Sequence, residues 1–166
     1  MKKLALILAL FLLFLTGCRE SSYDILPYQE RDIEALCVIN EKYTVRLTKL
    51  GEKRGLEVLS PSELFGVEIY YDTTGAFLVV GDTKIPVERG RLKGIESLLS
   101  AFSLNEEYLT GANGNDIATL EFQSQDLYYT LTLGKNRMPK FITIQGSGID
   151  YKVEVKEIKI IEALAS

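Results

Sequence analysis

From residue 33 to residue 160 the chain alternates apolar and polar side chains in short runs, most of them stopped by glycine, proline or asparagine. A period of two sends successive side chains to opposite faces of a strand, so a chain patterned this way must build sheet first. Residues 33–39 form the first run, and Asn40-Glu41 offers a tight turn. In 42–50, Tyr43, Val45 and Leu47 share one face, and Thr44, Arg46 and Thr48 the other. GEKRG (51–55) reads as a glycine-bracketed hairpin loop, and 56–59 as a short strand ended by Ser60-Pro61, since proline cannot donate to a ladder. Val67, Ile69 and Tyr71 then alternate with Glu68 and Tyr70. Thr73-Thr74-Gly75 turns the chain into AFLVV, Gly81-Asp82 turns it again, and Pro86 restricts 83–88 to an edge strand.

One segment breaks the period. In LKGIESLLSAFSLN (92–105), Ile95, Leu98, Leu99 and Phe102 fall at i, i+3, i+4 and i+7, the stripe of an amphipathic helix, and Asn105 is placed to end it. Such a stripe either packs into a core or acts as a lid over a ligand cleft. TGANGND (110–116) reads as a solvated linker. Its Asn and Asp lack the alternating oxygen ligands and distal Glu of a calcium loop. Strands resume at 117–123, 127–133 and 141–145, and a long one starts at Ile149. There Ile149, Tyr151, Val153 and Val155 share a face, while Ile158 and Ile160 have the opposite phase. A β-bulge near Lys156-Glu157 would reset that phase and bend the strand, as a strongly curved sheet requires. Six strands, one helix and four more strands predict an α+β domain with one large antiparallel sheet.

The first residues belong to something else. Lys2 and Lys3 precede twelve apolar residues, 4–15, which reach only about 18 Å as a helix and fall short of a membrane's roughly 30 Å hydrocarbon core. They read as the h-region of a signal peptide spanning 1–17. Leu15-Thr16-Gly17-Cys18 resembles the lipobox of bacterial lipoproteins. The resemblance implies that Cys18 becomes the first mature residue and carries acyl chains. The protein would then be anchored on the extracytoplasmic face of a bacterial membrane, where two or three chains hold it stably. Residues 18–32, polar and containing Pro27, then read as lipidated N-terminus and tether, 33–161 as the folded domain, and 162–166 as a tail.

Composition narrows the chemistry. With 1–17 removed, 17 basic residues face 23 acidic ones, a formal charge of −6, and no basic cluster invites nucleic acid. The sequence has no histidine, which removes Ser-His-Asp and Cys-His catalysis and His-ligated zinc. Lipidation of Cys18 would leave Cys37 as the one thiol, in the apolar run ALCVI, either a small buried hydrophobe or a reactive thiol. No cofactor or metal is expected, and the acidic residues, scattered through alternating strands, read as solvated faces.

The order of elements is similar to the lipoprotein carrier and acceptor superfamily, LolA and LolB. LYYTLTLGKNRMPKFITIQGSGIDYKVEVKEIKI (127–160) carries the likeness: strand, charged turn, proline-led strand, glycine turn and long last strand. LFGVEIYYDTTGAFLVV (64–80) matches that superfamily's earlier hairpins. The resemblance implies a strongly curved antiparallel sheet, an incomplete β-barrel, with one main helix on its concave face. The chain also resembles short half-barrel lipoproteins of spore-forming bacteria. Germination lipoproteins of that shape are associated with a cell-wall amidase, which the likeness makes a candidate partner. It departs from the carrier at residues 19–32, which hold a proline where the carrier has an N-terminal helix.

Two functions follow as expectations, neither catalytic. In the first, the concave face binds acyl chains, a lipoprotein or another hydrophobic ligand through Val67, Ile69, Tyr71, Leu98, Leu99 and Phe102. In the second, the protein localises or activates an envelope enzyme through exposed sheet edges and the outward tyrosines Tyr70 and Tyr128.

Overall fold

The computed structural model describes residues 26–113 and 119–161. Among them, eleven strands make a single antiparallel sheet. A first meander runs through β1 (Asp32–Ile39), β2 (Tyr43–Leu50), β3 (Lys53–Ser60), β4 (Val67–Asp72), β5 (Gly75–Val80) and β6 (Thr83–Val87). A second runs through β7 (Leu109–Asn113), β8 (Thr119–Ser124), β9 (Leu127–Leu133), β10 (Pro139–Gly146) and β11 (Ile149–Ile161). Pairing of β1 with β11 joins the two, giving the order β6-β5-β4-β3-β2-β1-β11-β10-β9-β8-β7. The edge strands β6 and β7 do not pair, so the curved sheet stays open.

That order explains the helix. After β6 the chain stands at one edge of the sheet, and its next strand is at the opposite edge. It must cross a face to get there, and α1 (Lys93–Ser100) lies in this crossing. Leu98 and Leu99 of α1, with Ala101 and Phe102 of the following 3-10 turn, pack into a core built from alternate residues of the strands, Val45, Leu47, Leu131, Ile142, Ile144 and Val153 among them. The predicted α+β class, curved antiparallel sheet and single main helix on the inner face are all present.

Local chemistry sets the joints. Asn40 and Glu41 both take positive φ, 50° and 56°, as a two-residue hairpin turn matched to strand twist demands. On β11 the bulge falls at Lys156: Cys37 pairs with Val155 but Leu36 with Glu157. The extra residue returns Ile158 and Ile160 to the inner face, opposite Ala35 and Ile33.

Three elements differ from the expectation. The expected loop 51–55 contracts to Gly51-Glu52, and β3 begins at Lys53, because Leu50 and Lys49 pair directly with Lys53 and Arg54. The expected linker 110–116 contains most of an eleventh strand, β7, whose Thr-Gly-Ala-Asn composition carries no alternation but whose backbone pairs with β8. The last residues of the expected tether are seated on the core from Leu26 onward, with Tyr28 1% exposed and edge-to-face against Phe102.

Candidate functional site on the inner face of the sheet

The inner face divides into a covered part and an uncovered part. Cross-strand partners share a face, so register tells which side chains line it. Val67 stands opposite Val80, Ile69 opposite Leu78 and Tyr71 opposite Ala76; Leu78 in turn stands opposite Ile85 and Ala76 opposite Val87. Moving outward along one such row, exposure rises from 9% at Ile69, through half-buried Leu78, to 44% at Ile85. In the next row Val67 is half-buried and Val80 is 49% exposed. Leu64 and Phe65, just before β4, are exposed as well. Helix α1 shields the middle of the sheet, and the β4–β6 wing extends past it with apolar side chains still in water.

The six residues expected to bind ligand fall on both sides of this divide. Leu98, Leu99 and Phe102 are buried in the core, and Phe102 packs on Tyr28. They fill space instead of lining it. Ile69 and Tyr71 are buried at the root of the wing, and Val67 lies on the wing itself. Cys18, expected to carry the lipid, lies outside the described residues.

Two clefts flank α1. One, of about 260 Å³, lies between the helix and the ends of β3 and β4, lined by Arg54, Tyr71, Arg89, Glu96 and Leu99 among others. The other, of about 410 Å³, lies between the helix and the turns of the second meander, with buried Leu104 and Tyr129, half-buried Leu127 and Ile149, and a polar set including Lys93, Asp126 and several serines. Arg54, Glu96 and Ser100 line both. The Tyr71 hydroxyl donates to the Leu92 carbonyl at 3.2 Å. Burial chiefly, then the Glu96 carboxylate, against Arg89, pushes its pKa up to about 12. Tyr129 is raised in the same way, by burial and by Glu96. These charged groups were missed in the sequence because β3, β4 and α1 bring them together from distant positions.

A buried lysine closes the far side of the helix. Lys49, on the inner face of β2, donates to the carbonyls of Tyr28 at 2.9 Å, Gln29 at 2.6 Å and Phe102 at 3.4 Å. Burial and the neighbouring Arg54 lower its pKa, opposed by Asp32. Gln29 adds a second clasp, donating from Nε2 to the Leu104 carbonyl and accepting from the Leu26 amide at 2.9 Å. Cys37 is fully buried, and burial pushes its thiol up to about 12, so the hydrophobe reading holds over the reactive one. Among the described residues no group of His, Cys, Asp and Glu could hold a metal ion, and no helix is long and apolar enough to cross a membrane.

No protein-family model and no curated protein matches the chain. Solved structures do. An uncharacterized conserved protein from Thermus thermophilus is 15% identical, with 81% of each chain covered and a TM-score of 0.48. A LolA superfamily protein from Nitrosomonas europaea is 10% identical, covering 81% of this chain and 86% of its own, with a TM-score of 0.42.

Proposed function

We propose that the protein is a non-catalytic binding protein, tethered to the extracytoplasmic face of a membrane through acylated Cys18, that holds the hydrophobic part of a ligand on the inner face of its open sheet. The observation that carries this reading is the rise in exposure from Ile69 through Leu78 to Ile85. Folding covers most of the inner face with α1 and leaves a contiguous apolar strip on the wing, and such strips on soluble domains mark binding surfaces. The seat of Leu26 adds a constraint. Eight residues separate it from Cys18, and at roughly 3.3–3.6 Å each they reach no more than about 29 Å, which would keep the domain close to the bilayer.

The test is mass spectrometry of lipid extracted from the full-length protein, together with titration of an environment-sensitive apolar dye. Co-purifying acyl lipid and saturable dye uptake are expected; a protein that neither carries nor takes up such molecules overturns the reading. Labelled palmitate separates covalent anchor from bound ligand, since Cys18→Ala should abolish labelling and membrane fractionation and leave dye uptake intact.

A second reading, an accessory protein that docks an envelope enzyme such as a cell-wall amidase, draws on the outer face. There Phe141 and Val38 line a groove of about 340 Å³ with Lys152 and Glu154, and Tyr128 is exposed. Crosslinking through Phe141 to an envelope protein would support it.

A further inference from the structure

The smaller cleft beside α1 holds opposite charges that the fold leaves unpaired. Arg54 and Glu96 both line it, and neither makes a hydrogen bond or ion pair with any described residue. The other charged groups there are occupied or solvated. Asp72 spends its carboxylate on the Thr74 amide and hydroxyl and the Gly75 amide. Arg89 spends one N–H on the Asp72 carbonyl at 3.1 Å, and Glu52 is exposed in the β2–β3 turn. The Glu96 carboxylate faces inward far enough to act on the hydroxyls of Tyr71 and Tyr129. At about 260 Å³ the cleft is smaller than the roughly 300–1,000 Å³ of a site that engulfs a drug-sized ligand. It suits a headgroup, not a whole lipid. Its wall residue Tyr71 stands on the same face of β4 as Ile69 and Val67, so the cleft continues onto the apolar wing.

We propose that this cleft takes the zwitterionic head of an amphiphile, an ammonium phosphodiester whose acyl chains lie on the β4–β6 wing, with Arg54 on the phosphate and Glu96 on the ammonium. A guanidinium matches a phosphate's paired oxygens, a carboxylate accepts from an ammonium, and one ligand carrying both answers two unpaired groups at once. The proposal rests on the wing as the site of the apolar part, and the experiment separates the two.

Full-length protein is titrated with three short-chain lipids that share dihexanoyl tails and differ in head: phosphatidylethanolamine, phosphatidylglycerol and plain diacylglycerol. The ethanolamine lipid should bind about tenfold more tightly than either of the others, the scale of one charge-assisted hydrogen bond gained. Glu96→Gln should abolish its advantage over phosphatidylglycerol. Arg54→Gln should bring both phospholipids down to the diacylglycerol. Neither side chain has a partner to lose, so the thermal midpoint of each variant should match the parent, which confirms folding. Equal affinity for all three lipids, or an unchanged preference in both variants, overturns the head assignment and leaves the wing standing. Binding of none of the three overturns both.

Discussion

Lys49 donates its buried ammonium to the carbonyl of Tyr28 at 2.9 Å, and this bond ties the entering chain to the sheet. Bonds from the same ammonium to Gln29 and Phe102 join three segments at one point: β2, the N-terminal stretch and the turn after α1. A charged donor shared among three carbonyls meets its desolvation cost only while all three segments are in place. Lys49→Met keeps the stem's volume and removes the donor. It should cost about 2 kcal/mol in urea unfolding and expose residues 26–31 to limited proteolysis. A variant as stable and as protease-resistant as the parent would show that Lys49 is not the clasp.

Alkali should weaken the fold through its buried acids. The Cys37 thiol is pushed up to about 12 by burial, as is the Tyr71 phenol by burial and Glu96, and Tyr28 is raised further by burial alone. Above the ordinary pKa values the unfolded chain has lost protons that the native one still holds, so stability falls as pH rises. The contribution is complete below about pH 8.5 and declines progressively toward about pH 12. Lys49 acts in the opposite sense, because its lowered pKa makes the native state release its proton first. Three acids against one base give a net fall. Urea midpoints from pH 7 to 11 should be flat and then drop, and Ellman's reagent should leave Cys37 untouched at pH 8 until urea unfolds the protein.

Core and wing should separate cleanly in mutants. Phe102, in contact with Tyr28 and 2% exposed, should cost about 3–5 kcal/mol when cut to alanine, the range for a large buried aromatic. Ile85, near the free edge, should tolerate lysine within about 0.5 kcal/mol while uptake of an apolar dye falls. If Ile85→Lys leaves dye uptake unchanged, the ligand surface is elsewhere.

The sheet was legible where period two was strong. Residues 127–133 alternate without a break and form β9 with the expected bounds, and the phase jump between Val155 and Ile158 located the bulge at Lys156. Segments whose structure depends on partners were not legible. Strand β7 has no alternation and exists because β8 supplies its ladder. Lys53 and Arg54 read as loop because charge resembles solvent exposure, though pairing with Leu50 and Lys49 makes them strand. The inner-face residues were picked correctly by periodicity. Which of them α1 covers depends on where the chain crosses the sheet, and local pattern holds no record of that. Arg54 and Glu96 stand 42 positions apart and meet only in the folded cleft.

Gly146 offers a test of how tightly the turns beside the larger cleft are stacked. Its φ is +118°, and a Cβ there would stand 2.0 Å from the Asp126 carbonyl oxygen, a backbone atom that cannot rotate away. Gly148, in the same β10–β11 turn, has a φ of +79° and open space around it. Alanine at 148 should cost about 1–2 kcal/mol, the backbone penalty of a left-handed residue. Alanine at 146 adds the collision and should cost about 3 kcal/mol or more. Asp126, Gln125 and Ser147 line the 410 Å³ cleft, so relief of that collision must also move its wall. Equal urea midpoints for Gly146→Ala and Gly148→Ala would mean that the two turns are not in contact and that the cleft wall is not fixed by them.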